Sequence, residues 1–387
     1  MNLQELCRWM GQVGASDLHL KNGRPPLVRI DGEIRPFDLP PVNGGLIETM
    51  LAPLMTENLR QQFASGREAD FSFPLPGDAR FRVNMFRQRG ETGAVLRRIP
   101  LEPPTADKLG LPEILNKLAD RENGLVLITG PTGSGKTTTL ATMIEHVNLT
   151  RRVHIMTIED PIEFVYVDKL AAINQRELGL DTESLDSALK SVLRQDPDII
   201  MMGEMRDRQT IAFGLTASET GHLVFATLHT NNAVQTLERI LDLTPAEVRD
   251  AVRVQLAQVL RGIVCQRLVV REGGGRTAIQ EILAMNDTLR QLVGENKLWE
   301  VEKAMEDGGY YGMQTFNQAF LAAVDDGRIS RETALANSER PGELELLFKG
   351  IQRGSTFEGL KRSQDVQRER SAITLAGGLA RVLGQRD

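Results

Sequence analysis

The sequence predicts an α/β domain that follows a smaller α+β domain, and three observations carry the prediction. A glycine-rich stretch, GPTGSGKT at 130–137, stands between a short apolar run, Leu125 to Thr129, and a segment whose Leu140, Met143, Ile144 and Val147 recur at helical spacing. Downstream, short apolar runs that read as buried strands end in polar residues and alternate with helical patterns. Upstream, residues 100–112 (PLEPPTADKLGLP) hold four prolines and a glycine and read as a linker. The predicted organisation is therefore an α+β domain over 1–99, a linker over 100–112, an α/β domain with C-terminal helices over 113–350, and a charged, mobile tail over 351–387.

Taken in order, residues 1–13 present Leu3, Leu6, Trp9, Met10 and Val13 on one helical face. LVRIDGEIRP at 27–36 sets Asp31-Gly32 between two alternating arms, a two-residue hairpin signal. One helix is predicted from Ile47 to Phe63, then three strands, DFSF, ARFRVNMF and AVLRRI, between Asp70 and Ile99. In the middle one Phe81, Val83 and Met85 alternate with Arg80, Arg82 and Asn84, so one face packs and the other carries charge. A helix around Glu113 to Ala119 precedes the glycine loop. After it come a strand at Val153–Ile158 ending in Glu159-Asp160, a helix marked by Leu185, Ala188, Leu189, Val192 and Leu193, a strand at Ile199–Met202 ending in Gly203-Glu204, and a strand at Leu223–Leu228 ending at His229. Residues 234–340 read mainly as helices, with a strand pair around GGGRTAIQEIL. Polar residues at the carboxyl ends of strands are where open parallel sheets place ligands.

Composition removes several classes of function. A net charge of −6 and a pI of about 5.6 give no general basic surface for nucleic acid. No run of eighteen apolar residues appears, so no integral membrane segment is predicted, and the first twenty residues lack the apolar core of a secretory signal. Two cysteines, Cys7 and Cys265, without a CxxC pair fit a reducing cytoplasm and give no cysteine zinc site, and none of the five histidines sits in an HExxH frame.

The loop carries the chemistry. Gly130, Gly135, Lys136 and Thr137 satisfy G-x-x-x-x-G-K-[ST] in the strand–loop–helix context that pattern needs. Glycines let the backbone approach a polyphosphate closely, and the inward amides and helix N-terminus form an anion nest. Gly130, Pro131, Thr132, Gly133, Ser134, Gly135, Lys136, Thr137 and Thr138 are therefore the predicted cradle for ATP, with Lys136 between the outer phosphates and the Thr137 hydroxyl on Mg²⁺. An NTPase also needs acids for water and metal. Glu204 is assigned to orient and activate the attacking water, and Glu163 to help hold Mg²⁺ or its shell. His229 is assigned as a sensor of the outer phosphate, with His222, at the other side of LVFATL, beside it. Arg80, Arg82, Arg87, Arg89, Arg97 and Arg98 cluster in the first domain, where most read as exposed strand residues and some as donors toward the nucleotide, in cis or from a neighbour.

Four boxes, GPTGSGKTT, TIEDPIEF (157–164), RQDPDIIMMGEMRD (194–207) and TGHLVFATLHTNNA (220–233), resemble those of the secretion-ATPase superfamily. ASDLHL (15–20), FRVNMF (81–86) and GMQTF (312–316) resemble its PilT/PilU branch, the retraction motors of type IV pili, and the resemblance spans residues 3–350. It implies a PAS-like N-terminal domain, a RecA-like motor domain and a hexameric ring. It also implies that Glu159, Asp160, Glu163, Glu204, His222 and His229 surround ATP, and that Arg82 and Arg97 are the nucleotide-facing arginines. The absence of a four-cysteine zinc motif and of an extra N-terminal domain favours retraction over assembly. Where PilT-type motors carry an AIRNLIRE-like helix this chain reads DTLRQLVGEN (287–296), and LGLDTESLDSALKSVLRQDPD (178–198) and ELELLFK (343–349) lean toward PilU. The implied partners are an inner-membrane pilus platform protein and a paralogous retraction ATPase, and the implied place is the cytoplasmic side of the inner membrane. Two other readings stay open on the residues alone: a RecA-like nucleic-acid translocase, which DNA-stimulated and salt-sensitive turnover would reveal, and a non-catalytic nucleotide-binding partner of another motor, which tight binding without hydrolysis would reveal.

Overall fold

A computed structural model of the chain describes residues 2–30, 32–100 and 103–351. The charged tail expected beyond residue 351 lies outside the described residues. The described residues fall in two compact units: those within 2–124 with Thr137–Met205 and Gln209–Ala226, and Leu125–Lys136 with Arg206–Arg208 and 227–351.

In the first unit, β1 (Asp17–Leu20), β2 (Leu27–Ile30), β3 (Glu33–Pro36), β4 (Ala69–Leu75), β5 (Ala79–Gln88) and β6 (Glu91–Pro100) form an antiparallel sheet in the order β3-β2-β1-β6-β5-β4. Alternation sorts its faces. Leu18, Val28, Phe71, Phe73, Phe81, Val83, Met85 and Leu96 are buried. Helices α1 (Leu3–Gln12), α2 (Gly44–Leu51) and α3 (Glu57–Ala64) add their apolar faces to that core. The buried stripe of α1 is Leu3, Leu6, Cys7 and Met10; Trp9, expected inside, is half-exposed and lies against Phe37 with ring centroids 3.6 Å apart. β2 and β3 pair as the hairpin reading expects, with Ile30 opposite Glu33 and Gly32 at φ +86°, while Asp31 lies outside the described residues.

The single helix expected from Ile47 to Phe63 is instead two. Pro53 sits in a one-turn 3₁₀ segment at Ala52–Leu54, and Thr56 opens α3 by accepting from the Leu59 amide. The linker region contains α4 (Ala106–Leu109), which ends on Gly110 in the left-handed region, and is followed by α5 (Ile114–Ala119).

A second sheet of seven strands, β7 (Gly124–Thr129), β8 (His154–Glu159), β9 (Ala172–Glu177), β10 (Ile199–Glu204), β11 (Leu223–Leu228), β12 (Leu260–Val270) and β13 (Arg276–Ala284), runs in the order β13-β12-β7-β11-β10-β8-β9. β12 is parallel to β7, β10 to β8 and β8 to β9, whereas β13 is antiparallel to β12. β7, β11 and most of β8 and β10 are buried along their length, which is why they read as unbroken apolar runs rather than alternating ones.

The helices of this part are α6 (Lys136–Thr150), α7 (Leu185–Val192), α8 (Arg208–Glu219), α9 (Ala233–Asp242), α10 (Arg249–Val259), α11 (Asp287–Gly294), α12 (Leu298–Glu306), α13 (Phe316–Asp325), α14 (Arg331–Asn337) and α15 (Pro341–Phe348). α6, expected to be amphipathic, is covered nearly all round. Its Glu145 is buried and paired with Lys169 and with Asn148. The strand pair expected around GGGRTAIQEIL forms as β12 and β13, with Val270 opposite Arg276 and β12 reaching back to Leu260, whereas the polar edge strand β9 was not expected.

Candidate nucleotide site

The loop that follows β7 is held by backbone conformations that favour glycine. Gly130, Gly133 and Gly135 have φ of +143°, +79° and +85°. A Cβ at Gly130 would stand 2.3 Å from the Gln266 carbonyl oxygen, and one at Gly135 would stand 2.8 Å from the Gln266 side-chain nitrogen. Pro131, Thr132 and Gly133 are exposed at the rim, while Ser134 and Lys136 are buried. Lys136 Nζ donates to the carbonyls of Gly130 (2.8 Å) and Pro131 (3.1 Å), so the ammonium is already centred over the loop. Thr137 and Thr138 lie half-buried in the first turn of α6, where the helix end favours negative charge.

The acids lie on the first unit. Glu159 and Glu204 close the neighbouring parallel strands β8 and β10, whose register sets Met202 opposite Ile158. Glu204 is half-buried; Asp160 and Glu163 are exposed. Glu159 is only 5% exposed, and it accepts from Thr157 Oγ1 (2.7 Å), from Gln175 Nε2 (3.0 Å) and from the Glu163 backbone amide. Its carboxyl group is turned inward and fixes the backbone that presents Glu163.

Burial raises the Glu159 pKa from 4.5 to about 7, against the opposing pull of its hydrogen bonds. The folded chain keeps this proton where the unfolded chain has released it, so stability falls as pH rises from about 4.5 to about 7 and stays lower above that. Glu159→Gln is expected to flatten part of that slope, by about 3 kcal/mol. Urea unfolding at a series of pH values checks it, and parallel curves for variant and parent would contradict the account. The slope does not vanish, because Glu281, which accepts from Ala233 N at 2.7 Å, is also raised to about 7 by burial.

His229 directly follows β11 and is exposed. His222 precedes the same strand, so the two imidazoles stand about 20 Å apart along it. His222 Nδ1 contacts the Ala217 carbonyl (3.0 Å) and Thr220 Oγ1 (3.2 Å), and the His222 carbonyl accepts from Gly124 N at the start of β7. His222 is thus engaged by the turn between α8 and β11.

The arginines separate in the same way. Arg98 pairs with Asp78 (2.8 Å), and Arg87 pairs with Glu48 (3.4 Å) and covers the Phe63 ring. Arg80 bonds Ser72 and reaches Glu177 (3.5 Å), and Arg89 is a turn residue at φ +54°. Arg82 and Arg97 are direct cross-strand partners on the outer sheet face. Arg97 bonds Asp17 (2.8 Å) yet stays 69% exposed, and Arg82 is exposed with no hydrogen bond or ion pair among the described residues. Arg87 and Arg89 are exposed as well, so exposure does not by itself single out Arg82 and Arg97.

Gln266 was missed by sequence reasoning. It lies on β12, is 2% exposed, and its side chain donates to Ser134 O at 2.7 Å. The strand pair expected around GGGRTAIQEIL gave no sign that its first strand would lie beside the loop strand β7.

Residues 67–336 match the family of type II/IV secretion system proteins. The chain is 46% identical over 341 residues to the type IV pilus retraction ATPase PilT of Pseudomonas aeruginosa, covering 88% of this chain and 99% of that one. It is 41% identical over 350 residues to the type IV pilus ATPase PilU of the same organism, covering 90% and 92%. The chain belongs to the PilT/PilU family. Among solved structures, the pilus retraction motor PilT with bound ADP superposes with a TM-score of 0.83 at 45% identity, covering 89% of this chain and 99% of that one. The N-terminal domain followed by a RecA-like ATPase domain is the architecture of this family, and the chain is an ATPase that binds nucleotide. Both branches match over most of the chain, with the higher identity to PilT.

Proposed function

We propose that the chain is an ATP-driven motor that powers retraction of type IV pili, working as a hexameric ring. The observation that carries this reading is the 46% identity, across 99% of its length, to a protein named for that activity. The complete phosphate loop is what such a motor requires.

In this reading water attacks the γ-phosphorus in line. Glu204 orients it and takes its proton, loop amides and Lys136 hold the phosphates, and His229 meets the outer phosphate. The Thr137 hydroxyl and the Glu163 carboxylate are oxygen donors of the kind Mg²⁺ takes beside phosphate and water. That ion supplies neutralisation of charge on the outer phosphates. Arg82 and Arg97 serve a nucleotide held by a neighbouring subunit in this reading, and residues 1–99 and 113–350 are the two lobes that shift as ATP becomes ADP.

No helix among the described residues is long and apolar enough to cross a membrane. The proposed place is the cytoplasmic side of the inner membrane, docked on a pilus platform protein and working beside a paralogous retraction ATPase. Deleting the gene in its host is expected to leave cells with more surface pili and no twitching. Cells without pili would instead mean assembly, and unchanged pili and motility would contradict the proposal.

A further inference from the structure

A chain of side-chain amides, from half-buried Gln314 to buried Gln280 and Gln266, runs beneath the phosphate loop. Gln314 Nε2 donates to the Gln280 carbonyl, Gln280 Nε2 donates to Gln266 Oε1, and Gln266 Nε2 donates to Ser134 O, each at 2.7 Å. Gln266 and Gln280 are cross-strand partners on β12 and β13, and each is 2% exposed. The polarity of the chain is forced. The Ser134 carbonyl only accepts, so the Gln266 nitrogen must face it. The Gln266 oxygen then faces Gln280, whose nitrogen must face back. The cost is visible, because Gln280 Oε1 is left buried without a partner. A trans peptide is planar, with its carbonyl and amide pointing opposite ways. Fixing the Ser134 carbonyl toward β12 therefore turns the Gly135 N–H into the concave side of the loop, where an anion is bound.

We propose that Gln266 and Gln280 are positioning residues for the nucleotide: they hold the Ser134–Gly135 peptide in its phosphate-binding orientation. Gln314, within GMQTF just ahead of α13, ties that device to the C-terminal helices. A purely space-filling pair would not need this order of nitrogen and oxygen. The inference rests on the reading of the loop as the nucleotide site.

The test is ADP titration of the full chain by calorimetry, with folding checked by urea unfolding. Gln266→Leu is expected to raise the Kd for ADP about tenfold, the loss of one buried hydrogen bond to the loop. Gln280→Glu keeps the shape and, once ionised, reverses the polarity. Protonated, the acid donates to Gln266 as the amide did; ionised, it drives the Gln266 oxygen toward the Ser134 carbonyl. The ratio of its Kd to that of the parent is therefore expected to rise with pH. The double variant Gln266→Leu/Gln280→Glu is expected to bind no worse than Gln266→Leu alone, because Gln280 acts through Gln266. Parent-like binding by a folded Gln266→Leu, or a pH-independent Gln280→Glu whose effect adds to that of Gln266→Leu, would overturn the proposal. Failure of the parent chain to bind ADP would instead overturn the nucleotide reading.

Discussion

Glu204→Gln is expected to stop ATP turnover while leaving ATP bound. Glu204 is the last residue of β10, half-buried at the carboxyl end of a strand paired in parallel with β8. A carboxylate there can take a proton from water; an amide of the same size and shape cannot. Losing a positioned general base costs about 10²–10⁴ in rate, while nucleotide affinity, set by the loop, should hold within about threefold. Steady-state phosphate release and equilibrium ATP binding, measured on the same preparation, separate the two effects. Undiminished turnover would move water activation to another acid, with Glu163 next in line.

Lys136→Ala is expected to fail one step earlier, at binding. Lys136 Nζ lies on the Gly130 and Pro131 carbonyls, and the side chain is buried against the loop. Alanine removes the positive charge that meets the outer phosphates. It also leaves both carbonyls without that donor, so the loop loses a brace as well as a ligand. Nucleotide affinity should fall by more than about tenfold and turnover by about 10³-fold or more. Binding at parental affinity would show that the loop amides suffice and that the lysine acts on the transition state alone.

The loop, β7 and the first turns of α6 were legible because the pattern binds conformation and chemistry together: φ values of +143°, +79° and +85° fall on glycines the motif already demands. Buried parallel strands were legible as apolar runs of strand length. What sequence reasoning lost was spatial. His222 and His229 are seven positions apart, an interval that β11 stretches between its two ends. Glu159 carries the same functional group as Glu163, and only its burial between Thr157 and Gln175 tells them apart. Gln266 lies 132 residues from Ser134, beyond any local pattern. Its strand did carry a signal, since Ile263, Val264, Val269 and Val270 lie in a run that leads to Gly273-Gly274-Gly275, a β-branched segment before a turn. The break at Pro53 was likewise present in the sequence and outweighed by the apolar spacing around it.

A crystal structure of the chain with a nonhydrolysable ATP analogue tests the central claim most directly. The account predicts the triphosphate inside the 130–138 turn, with the Gly135 amide and Lys136 Nζ on phosphate oxygens and the ammonium drawn off the Gly130 and Pro131 carbonyls. An analogue bound elsewhere, with Lys136 still on those carbonyls, would contradict it.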